Sequence, residues 1–192
     1  MWESLLVPTG IVTLAEIGDK TQLLALILAA RYRKPIPIIL GILVATVANH
    51  FLAAAVGNQV ASLFSPITLA WILAASFAAV ALWTLIPDKM DDEDSTSKKY
   101  GPFVATLIAF FIAEMGDKTQ VATVMLAAQY SHFTMVVIGT TLGMMIANVP
   151  VVLAGNFAAD KLPLDWIRRI AALCFALLAI YAAYQAYSGS LG

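Results

Sequence analysis

Two seven-residue segments, E-I-G-D-K-T-Q at Glu16 to Gln22 and E-M-G-D-K-T-Q at Glu114 to Gln120, set acids, a lysine, a threonine and a glutamine at matched positions inside otherwise apolar stretches. An ionisable side chain near a bilayer centre costs at least ~2.5–3.5 kcal/mol on insertion scales, so packing alone would favour Leu or Ala there. Glu16, Asp19, Lys20, Glu114, Asp117 and Lys118 therefore point to ion chemistry. The carboxylates of Glu16, Asp19, Glu114 and Asp117, with oxygens from Gln22, Gln120, Thr21 and Thr119, form an oxygen-rich ligand set. Such a set suits Mg²⁺, Ca²⁺ and Mn²⁺ rather than Zn²⁺ or Cu⁺, which would attract His or Cys. The four acids outnumber the two lysines by a charge that one divalent cation, or two protons in its place, would neutralise. Carboxylates crowded in a poorly hydrated site take up protons more readily, which gives a direct route to metal/proton exchange.

The spacing carries a rival reading. On a continuous helix Glu16, Asp19 and Lys20 share one face, with Thr13 a turn earlier, and so do Glu114, Asp117 and Lys118. Glu16 with Lys20, and Glu114 with Lys118, would then be i,i+4 salt bridges serving structure alone. That account leaves both aspartates without partners and does not explain the duplication. Gly18 and Gly116 remove bulk between the acids, permitting close helix approach or a local unwinding that frees carbonyl oxygens.

The elements that must position these groups are membrane helices. Of 192 residues, 61% are hydrophobic and 12% charged, and the mean hydropathy is +0.86. That composition describes an integral membrane protein. Continuous Ala/Leu-rich runs at 4–30, 36–60, 67–87, 102–128, 133–158 and 164–187 predict six transmembrane helices in an all-α membrane protein, not a barrel with alternating strands. No Lys or Arg precedes the first run, so a cleaved signal peptide is not expected. Outside the motifs, Arg31, Arg33, Lys34, Lys89, Lys98, Lys99 and Lys161, with Arg168 and Arg169 at the start of the sixth run, all fall on one face. The positive-inside rule makes that face cytoplasmic and puts both termini on the other side.

The halves correspond beyond the motif. Leu28-Ala29-Ala30 matches Leu126-Ala127-Ala128, Gly41 matches Gly139, Gly57-Asn58 matches Gly155-Asn156, and Ala48-Asn49 matches Ala147-Asn148 after a one-residue slip. With three helices per half, the halves enter the membrane from opposite sides, as two inverted three-helix repeats. The organisation is then a first repeat over 1–87, an acidic cytoplasmic linker over 88–101 containing Asp91 to Asp94, and a second repeat over 102–192. The first and fourth helices would cross at the pseudo-two-fold axis and bring the acids together near the midplane. Asn49 and Asn148 are candidates for metal ligation or interhelical hydrogen bonds, and His50 for packing or proton relay. Pro150 is expected to kink the fifth helix, and Cys174 and the methionines to pack. Net charge of −1 and the lack of a basic stripe give no reason to expect a nucleic-acid partner.

Two copies of E-φ-G-D-(K/R)-(S/T), in the first and fourth of six helices around an acidic loop, resemble the family of small cation/proton exchangers that includes MneA-type bacterial manganese exporters and the Golgi manganese/calcium transporters of yeast and animals. The resemblance covers the whole chain. It implies a secondary transporter that exports a divalent cation, Mn²⁺ or Ca²⁺, from the cytosol against protons, with the ion as substrate and no resident cofactor. It assigns the ion to Glu16, Asp19, Glu114 and Asp117, with Gly18, Lys20, Thr21, Gly116, Lys118 and Thr119 completing the motifs. Without the long N-terminal extension of organelle-targeted relatives, the chain reads as a multi-pass protein of a bacterial cytoplasmic membrane, and a homo-oligomer stays open. Two other functions remain at this point. An intramembrane, metal-dependent lipid-pyrophosphate phosphatase would want an Arg for phosphate and a Ser or His nucleophile, which the motifs lack. An amino-acid exporter would share the transporter architecture.

Overall fold

In a computed structural model, residues 1–86, 100–154 and 164–189 are described. The acidic linker with Lys89, Lys98 and Lys99, the Gly155-Asn156 pair, Lys161 and the Arg168 side chain lie outside the described residues. All secondary structure among the described residues is helical: α1 (Glu3–Glu16), α2 (Lys20–Tyr32), α3 (Pro35–Leu63), α4 (Pro66–Thr84), α5 (Pro102–Glu114), α6 (Lys118–Gln129), α7 (Phe133–Ala154) and α8 (Leu164–Gly189). By length and composition, Pro35–Leu63, Pro66–Thr84, Phe133–Ala154 and Arg169–Gly189 can cross a membrane, and Pro102–Glu114 is a shorter apolar helix. The protein is a membrane protein, as its composition requires.

The starts of these helices follow from local chemistry. Pro35, Pro66 and Pro102 stand in the first turns of α3, α4 and α5, where a missing N–H costs nothing. The Ser65 hydroxyl caps α4 by accepting from Thr68 N at 3.3 Å. Pro150 lies within α7, which continues through it to Ala154.

The structure corrects the sequence expectation at two places. The runs at 4–30 and 102–128 are not single helices: each is interrupted at its motif, leaving α1 and α2 in the first and α5 and α6 in the second. The order short, short, long, long thus occurs twice along the chain.

Packing is reciprocal between the two sets. α1 packs on α7 and α5 on α3; α2 touches α7 and α6 touches α3; α4 packs on α8, where Phe77 stacks on Phe175 with ring centroids 6.5 Å apart. Small residues allow the closest crossings. A Cβ on Gly41 would stand 2.8 Å from Phe103 O, one on Gly57 2.1 Å from Val124 O, and one on Gly143 2.7 Å from Thr9 O. Glycine is obligatory at such approaches. These contacts also set direction: Gly41, Asn49 and Gly57 of α3 meet Phe103, Phe111 and Val124 in that order, so α3 runs alongside α5 and α6 in the same sense. Likewise Gly139, Gly143 and Ala147 of α7 meet Leu5, Thr9 and Gln22 in order along α1 and α2.

Candidate metal centre

The interruptions have the same build, and the motif encodes it. Ile17 (φ −67°, ψ 117°) and Gly18 (φ 83°) have the angles of the central residues of a type II turn, closed by Asp19 N donating to Glu16 O at 3.0 Å. Met115 (φ −65°, ψ 121°) and Gly116 (φ 75°) repeat it, with Asp117 N donating to Glu114 O at 3.2 Å. The third turn position needs positive φ, which is why both copies have Gly there. Asp19 and Asp117 then take extended backbone as the N-caps of α2 and α6. Gln22 and Gln120 brace the turns: their Oε1 atoms accept from Gly18 N at 2.9 Å and Gly116 N at 2.7 Å. Glu-φ-Gly-Asp is thus a turn between a helix C-terminus and a helix N-terminus, and the glutamate ends one helix while the aspartate starts the next.

The helical-face geometry expected from the spacing is therefore replaced, and so is the i,i+4 pairing. Lys20 Nζ meets Asp117 Oδ1 at 3.3 Å, and Lys118 Nζ meets Asp19 Oδ1 at 2.5 Å. Each lysine neutralises the aspartate of the other motif, because the turn carries it away from the glutamate four residues back. Both aspartates, which helical pairing would have left alone, have partners.

Glu16, Asp19 and Asp117, all buried, each bring a carboxylate oxygen within 4.8 Å of the others. The Thr21 hydroxyl donates to Glu16 Oε2 at 2.7 Å, and that of Thr119, from the second motif, donates to Glu16 Oε1. Thr21 N and Oγ1 also lie 3.4 Å from Asp19 Oδ2. Glu114 does not join the trio; it is fully buried with no hydrogen-bond partner at either oxygen, and Asp117 Oδ2 is likewise without one. The N-termini of α2 and α6 carry the aspartates of this cluster, where the helix dipole favours negative charge. Three carboxylates in so short a span, with the lone pairs of Asp117 Oδ2 unmet, can hold a divalent cation through oxygen alone.

The two asparagines lie on α3 and α7, the long helices that pack against the interrupted ones. Asn49 Nδ2 donates to Phe111 O at 3.0 Å, one turn before Glu114, while Asn148 Nδ2 donates to Met144 O at 3.1 Å in its own helix. The Oδ1 atoms of both, and both ring nitrogens of buried His50, have no hydrogen-bond partner. Thr46 and Thr141, which no motif marks, are also buried with unmet hydroxyls. Their signal was spacing: Thr46 precedes Asn49 by three residues and Thr141 precedes Asn148 by seven, which puts each pair on one helix face.

Buried acids tied by lysines across two broken helices are the mark of an ion pathway through a membrane. The model of the family described as "Divalent cation/proton antiporter GDT1" matches residues 4–92 and 102–190. Relatives agree with it. A Vibrio cholerae protein named "Putative manganese exporter" is 59% identical over 174 residues, covering 90% of this chain and 86% of its own. A GDT1-like protein of Synechocystis is 29% identical over 197 residues (88% and 91%), and GDT1-like protein 4 of Oryza sativa is 25% identical over 203 residues (91% and 71%). No solved structure matches. The chain belongs to the GDT1 family of divalent cation/proton antiporters. A lipid-pyrophosphate phosphatase is thereby set aside.

Proposed function

We propose that the protein exports Mn²⁺ from the bacterial cytosol in exchange for protons, by alternating access to one site between the two broken helices. The observation that carries this reading is the buried trio Glu16, Asp19 and Asp117, with ligand atoms within 4.8 Å of one another. These acids hold the cation, Glu114 stands beside them as a further carboxylate, and Asn49 and Asn148 supply amide oxygens from the flanking helices. Gln22 and Gln120 hold the turns in shape and so fix the aspartates. Protons take the place of the metal when it leaves, because uncompensated carboxylates in a dry site are costly.

The chain crosses the membrane six times, α1 with α2 and α5 with α6 each making one interrupted crossing, as two inverted repeats. Direction supports this. α3 returns from α2 across a connection of only Arg33 and Lys34, yet runs in the same sense as α5 and α6. The two interrupted crossings therefore run in opposite senses, the arrangement from which a central site opens to either face. Arg31, Arg33 and Lys34 put that connection in the cytosol and the termini outside. Ca²⁺ is the competing cargo, since it takes the same oxygen ligands with a larger coordination number.

The test is Mn²⁺ flux into proteoliposomes under an imposed proton gradient, with proton movement read in the same vesicles. Mn²⁺-coupled proton flux, lost in Glu16→Gln and Asp117→Asn, is expected; wild-type flux in either variant refutes the assignment.

A further inference from the structure

The two heptapeptides differ at a single position, Ile17 against Met115, yet their surroundings are unequal. Glu16 accepts from the hydroxyls of both Thr21 and Thr119, one from each motif. Glu114, its counterpart and equally buried, accepts from neither. The glutamines differ in the same way. Gln22 Nε2 donates to Ala147 O of α7 at 3.1 Å, whereas among the described residues Gln120 makes no such bond to Ala48, the matching position of α3. Asn49 reaches across to α5 while Asn148 turns back on its own helix, and the Lys118 side chain is 2% exposed against 26% for Lys20.

The difference in surroundings does not lie within the heptapeptides themselves. Where two such segments face each other across a pseudo-two-fold axis, each motif carries the groups needed to make the contacts the other makes here, so an arrangement with those contacts exchanged is open to the chain. We propose that Thr21 and Thr119 are positioning residues whose hydroxyls pass together from Glu16 to Glu114 as the site turns from one face of the membrane to the other. One glutamate is clasped and the other bare in each end state. A carboxylate accepting two hydroxyls is held in one rotamer with a lone pair of each oxygen engaged; the bare one has all its lone pairs open to an ion. Moving both donors together leaves neither hydroxyl buried and unmet at either end of the cycle. In the exchanged state Gln120 docks on Ala48 O of α3 and Gln22 lets go of α7.

This inference rests on the transport reading, and its test separates the two. Amide hydrogen exchange, read by mass spectrometry on the full chain in lipid nanodiscs, compares Glu114→Ala with Glu16→Ala. Removing Glu114 leaves Glu16 as the one acceptor, holds the arrangement seen here and protects the start of α2 relative to the start of α6. Removing Glu16 reverses that order. The ratio of exchange rates shifts by roughly tenfold or more between the variants, the equilibrium weight of a hydrogen bond to a charged group. The same protection pattern in both variants overturns the handover.

A second comparison stands if either alanine variant fails to fold. Replacing both threonines by Val lowers Mn²⁺ flux by roughly 10- to 100-fold, with a smaller change in equilibrium Mn²⁺ binding, and replacing both by Ser restores it to within about threefold. Full flux in the Val form overturns the proposal. Reversed protection in a chain that moves no Mn²⁺ upholds the handover and refutes the cargo alone.

Discussion

Lys20 and Lys118 occupy the same place in two copies of one motif, and the structure predicts that their loss has unequal consequences. Lys118 stands 2.5 Å from Asp19 with side chains 2% and 0% exposed; Lys20 stands 3.3 Å from Asp117 with 26% and 2%. At an effective dielectric constant of about 20, Coulomb attraction is ~6.6 kcal/mol at the shorter distance and ~5.0 kcal/mol at the longer, so separation alone favours the Lys118 pair by ~1.6 kcal/mol. Water reaching Lys20 widens the gap. Removing one partner of a buried pair costs about 3–5 kcal/mol because the other charge is left in place. A half-open pair falls between that and the ~0.2–1 kcal/mol of a surface bridge. Lys118→Met should therefore destabilise by about 3–5 kcal/mol and Lys20→Met by about 1–2 kcal/mol. Adding Asp19→Asn to Lys118→Met removes the stranded charge and should recover more than half of the loss. Unfolding in detergent micelles, followed by helical circular dichroism, measures all three. Equal losses for the two lysine variants, or no recovery in the double variant, refute the assignment of partners.

Other expectations concern the breaks, the crossings and the protons. Gly57→Ala places a Cβ 2.1 Å from Val124 O and should cost more than the usual ~1–3 kcal/mol of overpacking, whereas Gly10→Ala, with nothing within 4 Å, should be neutral or stabilising; thermal melting of the two variants decides. Gly116→Ala meets no neighbour but keeps φ at +75°, so it should lose about 1–2 kcal/mol through backbone strain alone, read in the same melts. On the proposed exchange, Mn²⁺ and protons compete for the same carboxylate oxygens, so Mn²⁺ affinity should fall as pH drops, each mole of metal releasing protons on binding; calorimetry in buffers of different ionisation enthalpy measures that release.

Much of this arrangement was legible in the residues. The apolar runs from Pro35, Pro66, Phe133 and Leu164 became α3, α4, α7 and α8 with starts within a few residues of those read from hydropathy, because length and continuity are what a bilayer demands. The paired motifs are conspicuous in the sequence for one reason, charge in an apolar run. The break itself is not marked in the sequence, although Gly18 and Gly116 permit unwinding. Hydropathy is blind to a three-residue turn, and i,i+4 spacing suggested a helix that the turn cancels. The lysine partners were out of reach for that reason. Glu-to-Lys spacing is local and visible in sequence, while Lys20 to Asp117 depends on how two distant turns face each other. The clasp of Thr119 on Glu16 belongs to the same class of long-range contact.

The exchanged lysines also bear on how the chain is made. In chain order α1 to α4 come before α6, so Asp19 and Lys20 are made ahead of the residues that pair with them. Neither half is electrically complete alone, and the seam closes only when Asp117 and Lys118 arrive. The ion pairs of that seam therefore cannot form until α6 is in place.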